Sequence, residues 1–346
     1  MTEPVRSVRY LFMNDEHELR SGWRLLIFIF VSFALQLLFS GIVGTLAVLS
    51  PALRFYLQLS PDAGVGRILI FYVLGSTINL GAILVSSLLC ARLLERRGLA
   101  SVGYKFHSGW ARDFAVGIGI GAAGIGLAVA IERLCRAILF EQRINASSLL
   151  VLEGAALFAL FIIAAAFEEM LARGFGFQAL LHNVGPLPAL ALTSIAFGLL
   201  HINNEHASLF STFNTVLAGL WLGVAYLKTR SLWLATALHA SWNFTMVFVF
   251  GLPVSGITSF QNMSWLTGHS LIPTWVSGGD YGPEGGAAAT IALVCLTLFV
   301  WKSKLFKPSE EMLEAIRHGK PSERYTTIFG EDSKRNSISG DSDSEG

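Results

Sequence analysis

The sequence predicts an all-α polytopic membrane protein with about eight transmembrane helices. Three observations carry that prediction. Of 346 residues, 53% are hydrophobic and only 14% are charged. Mean hydropathy is +0.57, above the range of soluble domains. Several apolar runs are also long enough to cross a hydrocarbon core of about 30 Å, which takes roughly 20 residues of helix.

Taken in order, the candidate spans are residues 23–49, 67–93, 113–133, 149–172, 187–201, 209–228, 231–251 and 287–302. The first three and the seventh stand out, whereas 187–201 is short for a full crossing. Arg and Lys in short loops set orientation. The N-terminal segment carries Arg6, Arg9, Arg20 and Arg24, the last at the start of the first span, and Arg96, Arg97, Lys105 and Arg112 follow the second. Lys228 and Arg230 lie between the sixth and seventh, and Lys302, Lys304 and Lys307 follow the last. With eight spans all of these fall on one side, which places both termini in the cytoplasm. Arg133, Arg136 and Arg143 in the third loop fit least well, although Glu132 and Glu141 accompany them.

The resulting organisation is a cytoplasmic segment 1–22, a three-helix membrane region 23–148, a membrane core 149–251, an extracytoplasmic or re-entrant loop 252–286, a last helix 287–302 and a cytoplasmic tail 303–346. The loop carries Trp265 and Trp275, suited to a membrane interface. From Pro321 the tail is too polar to fold alone, while "PSEEMLEAIRHG" before it can form a short helix. The glycines of "GIGIGAAGIG" at 117–126 indicate close helix packing. Cys90, Cys135 and Cys295 have neither disulfide nor ligand spacing and read as small apolar packers. No cleavable signal peptide is evident. A net charge of +1 without a basic tract gives no reason to expect a nucleic-acid partner. The bilayer itself is the expected partner.

Ionisable residues at bilayer depth cost roughly 2.5–3.5 kcal/mol each on insertion scales, so they pair or line wet cavities. Three late segments concentrate them: "FEEMLAR" at 167–173, "FGLLH" at 197–201 and "HASWN" at 239–243. Glu169 and Arg173 are i and i+4 and can form an ion pair. Glu168 lies about 100° around the helix from Glu169 and faces something else. His239 and Asn243 are also i and i+4, on one face of the seventh span, and Phe197 lies one turn before His201. Taken singly, each has a plain reading: a charge cluster at a helix end, an interhelical hydrogen bond, an interfacial histidine. Together, an unpaired carboxylate, two histidines and an amide from three helices supply the parts of a hydrolytic site. The carboxylate would take a proton from water, a histidine would share it, and a second histidine with the asparagine would donate to an oxyanion.

These motifs, in this order, resemble the CPBP family, the type II CAAX prenyl endopeptidases and bacteriocin-processing relatives. The family pattern is EExxxR, FxxxH and HxxxN or HxxxD. Here they read Glu168-Glu169-Met170-Leu171-Ala172-Arg173, Phe197 to His201, and His239 to Asn243. The resemblance spans roughly residues 150–250. It implies a glutamate-dependent intramembrane endopeptidase without a cofactor, acting on a membrane-associated peptide or protein in a bacterial plasma membrane. Glu168 would be the catalytic carboxylate, with His201 helping to activate water and His239 with Asn243 forming the oxyanion hole. Glu169, Arg173 and Phe197 would support them.

Alternatives remain at this level. Glu168, His201 and His239 also make a His₂Glu set of the kind that binds zinc, although HExxH is absent. A proton-coupled transporter or a non-proteolytic scaffold or immunity factor would use similar residues. Residue counting also raises a difficulty, because His201 at the far end of its segment falls too deep to meet Glu168. Either that segment starts later than residue 187, or helices break beside a cavity.

Overall fold

Long apolar runs become long helices, since a chain in hydrocarbon must satisfy its backbone hydrogen bonds internally. The computed structural model describes residues 11–14, 19–60, 63–142, 150–317, 326–327 and 330–331. Its helices are α1 (Ser21–Leu49), α2 (Pro51–Leu57), α3 (Val65–Glu95), α4 (Trp110–Leu134), α5 (Leu150–Arg173), α6 (Phe175–Val184) and α7 (Pro186–Leu200). They continue with α8 (Leu209–Thr229), α9 (Leu232–Phe244), α10 (Thr274–Ser277), α11 (Ala287–Lys302) and α12 (Glu310–Arg317). Arg6, Arg9, Arg143 and most of the tail beyond Pro321 lie outside the described residues.

The protein is a multi-pass, all-α membrane protein. Among the described residues six helical runs are long and apolar enough to cross a bilayer: Ser21–Leu49, Val65–Glu95, Trp110–Leu134, Leu150–Val184, Leu209–Thr229 and Leu232–Val249. The expected count of eight is not confirmed. Pro186–Leu200 and Ala287–Lys302 have 15 and 16 residues, about 22–24 Å at 1.5 Å per residue, short of a 30 Å core. Cys90 is buried as expected of a packer, whereas Cys135 and Cys295 are exposed on the protein surface.

The spans differ in depth within the protein. Of the Leu232–Val249 span 67% is buried, compared with 11% of the most apolar 18-residue stretch of Ser21–Leu49. Helix α9 is therefore the centre, packed on α4, α5 and α8, while α1 contacts α3 and α6 at the edge. Ser231 caps α9, accepting from Trp233 N at 3.4 Å. Beyond Phe244 the helix widens into a π-helical turn, Thr245–Val249.

Gly174 separates α5 from α6. A Cβ there would lie 2.3 Å from the carbonyl oxygen of Met170, so only glycine lets the chain break at this point. Helix α6 carries the chain onward for 10 residues and α7 returns for 15. The net return is about five residues, roughly the rise from Arg173 back to Glu168. The depth problem posed by His201 is solved by this outward excursion.

A small antiparallel sheet was not foreseen. Strand β1 (Ile138–Gln142), in the third loop, pairs with β2 (Leu266–Ser270), with Ile138 opposite Ser270. This fixes the 252–286 loop to the end of α4. On the other face, Arg24 bonds Glu95 at 3.0 Å and Leu232 N donates to Gly103 O at 3.0 Å. There α12 also docks, Glu311 accepting from Ser108 N at 2.8 Å.

Close packing of α4 on α9 uses the predicted glycines. A Cβ on Gly121 would meet Leu238 O at 2.3 Å and Ser241 Oγ at 2.1 Å, whereas Gly119 faces open space. Gly121→Ala should therefore destabilise by about 1–3 kcal/mol through overpacking against backbone, and Gly119→Ala should not destabilise. Thermal unfolding of both variants in detergent checks this contrast.

Candidate active site

Helix α5 delivers two acids and an arginine to the protein interior. Glu169 and Arg173 are both fully buried. One guanidinium nitrogen, Arg173 Nη1, donates to both carboxylate oxygens of Glu169 at 3.1 Å, and Nη2 donates to Gly219 O on α8 at 2.8 Å. The guanidinium also lies 4.7 Å from the Phe197 ring centroid on α7. The expected Glu169–Arg173 pair is thus present, and it is tied to two further helices.

Glu169 has a second partner that helical spacing does not reveal. His239 Nδ1 bonds Glu169 Oε1 at 3.0 Å. Arginine only donates, so Glu169 is an acceptor and His239 must place its proton on Nδ1. Reading Glu169 as a strut for Arg173 alone was incomplete, because this partner comes from a helix 70 residues away.

Glu168 points elsewhere, as its position around the helix requires. Its Oε2 lies 3.8 Å from the Nε2 atoms of both His201 and His239. That oxygen is buried and takes part in no hydrogen bond. His201 is fixed from behind, Nδ1 bonding Phe197 O at 2.8 Å. A carbonyl only accepts, so Nδ1 carries a proton and Nε2 is the nitrogen that faces Glu168. The Phe197 ring packs on His201 at 4.8 Å and edge-on to His239 at 6.1 Å. The two histidines and the arginine thus share one aromatic wall.

Asn243 lies one turn beyond His239 on α9, half-buried, and is not joined to Glu168 or His201 by any hydrogen bond or ion pair. Among the described residues no group of three His, Cys, Asp or Glu side chains is arranged to hold a metal ion.

Several polar residues around the site were not foreseen. Tyr104, from the loop before α4, bonds Thr236 Oγ1 on α9 at 2.5 Å and donates to Ala166 O on α5 at 3.4 Å. Burial pushes its phenol well above the ordinary value, and the nearby Glu169 adds to the rise. It therefore stays protonated and bridges the helices that bear Glu168 and His239. A small cavity opens beside His201 and His239 and extends to Ser255 and Glu284. The cavity runs toward the 252–286 loop, which supplies Ser255 and Glu284 to its lining. Glu284 sits in "GPEGG", where nothing in the spacing links an acid to the helices.

Residues 150–245 match the family model described as type II CAAX prenyl endopeptidase Rce1-like. No curated protein matches the chain significantly. The chain carries an Rce1-like type II CAAX prenyl endopeptidase domain over those residues, consistent with the CPBP family. The match supports a membrane-embedded peptidase.

Removing one partner of a buried ion pair strands the other, at a cost of about 3–5 kcal/mol. Arg173→Met keeps much of the side-chain volume and leaves Glu169 without its cation. A loss of stability in that range is expected on thermal or chemical unfolding in detergent.

Proposed function

We propose that the Rce1-like domain is an intramembrane endopeptidase in which Glu168 and His201 activate a water molecule for attack on a peptide bond. The observation that carries this reading is the Glu168 Oε2 atom, buried, unbonded and 3.8 Å from two imidazole nitrogens. A water spans such a gap with ordinary hydrogen bonds of about 2.8 Å.

In the reaction the water donates one proton to Glu168 and one hydrogen bond to the lone pair of His201 Nε2. Its oxygen attacks the carbonyl carbon, and the electron pair of the C=O bond moves onto oxygen. With Nδ1–H committed to Glu169, His239 in its protonated form donates through Nε2–H to this oxyanion, and Asn243 Nδ2 adds a second donor. Collapse of the intermediate breaks the C–N bond, and the departing nitrogen takes the proton held by Glu168. The products are a carboxylic acid and an amine.

The catalytic unit is residues 149–251, with the 252–286 loop as its cover. The substrate is a membrane-associated peptide or protein, prenylated in the CAAX manner or not, and the setting is a bacterial plasma membrane. The chemistry calls for no cofactor. A zinc-dependent version using Glu168, His201 and His239 is separated by chelation, since the proposed mechanism retains activity after exhaustive treatment with a chelator.

Protein purified in detergent and assayed on reporter peptides tests the assignment. Glu168→Ala and His239→Ala should each lose cleavage by at least about 10²–10⁴-fold. Asn243→Ala should lose about 10²–10³-fold, as for an oxyanion donor. Wild-type-like cleavage by both Glu168→Ala and His239→Ala overturns the mechanism and returns the site to a scaffold or proton-relay role.

A further inference from the structure

The cavity that starts at the two histidines ends on groups that hydrolysis does not use. Glu284 lies on its wall together with the indoles of Trp221 and Trp242. Those rings are 5.7 Å apart and tilted by 60°. Trp242 Nε1 donates to Glu284 Oε1 at 3.1 Å, while Ser255 donates to Oε2 through its backbone N at 2.8 Å and its Oγ at 2.7 Å. Indole and backbone N–H groups cannot accept, so both oxygens of Glu284 are held as acceptors. Oε2 takes two of these bonds and Oε1 only one, which leaves Oε1 further accepting capacity.

Among the described residues no lysine or arginine lines this cavity. A carboxylate bordered by two indoles and hydrogen-bonded by uncharged donors favours a positively charged guest through charge and through the ring quadrupoles. Trp221 supplies an independent sign of a ligand. The residue is 1% exposed, and its Nε1–H has no hydrogen-bond acceptor. A peptide carbonyl entering the cavity would provide one.

We propose that this end of the cavity is a cation-accepting subsite that takes the ammonium or guanidinium of a basic side chain in the substrate. The proposal rests on the peptidase reading for what carries the cation, and it deepens that reading by naming a substrate class. A free C-terminal carboxylate placed there would instead meet like charge on Glu284.

Binding to the hydrolytically silent Glu168→Gln protein in detergent provides the test. Fluorescently labelled peptides carry one lysine at successive positions, each paired with a twin in which that lysine is acetylated, and anisotropy gives the two affinities. At one position the lysine peptide should bind about 10–100-fold more tightly. Glu284→Gln should bring that ratio close to one, and Trp221→Phe should lower it. Equal binding of the twins at every position overturns the subsite, as does a ratio unchanged in Glu284→Gln. If Glu284→Gln does not fold, the wild-type and Glu168→Gln ratios decide alone. A lysine peptide that binds selectively but is not cut by protein with Glu168 intact sinks the peptidase reading and spares the subsite. Glu168-dependent cleavage without any lysine preference does the reverse.

Discussion

A guanidinium with no access to water cannot stay unpaired, and the arrangement of the core follows from how Arg173 is satisfied. Its charge is matched by Glu169, its second nitrogen by Gly219 O and its face by the Phe197 ring. Those partners belong to α5, α8 and α7. Glu169 then takes His239 from α9 as well. One buried charge thus sets four helices against each other, because any looser arrangement would leave an ion desolvated and uncompensated.

The same constraint separates the two acids. Glu169 is held by donors on two helices and has little freedom to exchange protons with a substrate. Glu168, one residue earlier, turns to a place where its Oε2 meets only imidazole nitrogens at 3.8 Å. Each ring is anchored through Nδ1, His201 on a carbonyl and His239 on a carboxylate. The anchors differ in charge, and so do the roles the rings can fill. Behind His201 stands a neutral carbonyl, whereas behind His239 stands a carboxylate, which favours positive charge on the ring. This division of labour between two chemically identical side chains comes from what stands behind them.

Wet chemistry within a membrane core needs interrupted helices, and the interruptions here are local and identifiable. Gly174 breaks α5 from α6, α7 stops at Leu200, and α9 relaxes into a π-helical turn just past Asn243. Irregular backbone at depth is tolerated only where it borders protein or a polar cavity, and all three breaks flank the site. The 252–286 loop closes the far side, Glu284 bonding Trp242 on α9 and Ser255 within the loop itself, with Asn214 on α8 bonding the carbonyls of Glu284 and Gly286 at 2.9 Å.

The sequence by itself determined the helical class, the positions of most of the long apolar helices and the three motifs that meet at the site. Hydropathy and the i, i+4 spacing are properties of contiguous chain, so Glu169–Arg173 and the shared face of His239 and Asn243 could be read directly. Tertiary structure decided everything that depends on which helix faces which. It linked Glu169 to His239, brought His201 back to the level of Glu168 by way of α6, and paired β1 with β2 across more than a hundred residues. It also brought Tyr104 and Glu284 to the helices of the site, although each lies in a loop whose composition looks ordinary. The physical reason is the range of the two kinds of information. Periodicity reports a residue's own helix, while a buried polar group is completed by whichever distant segment supplies the missing donor or acceptor.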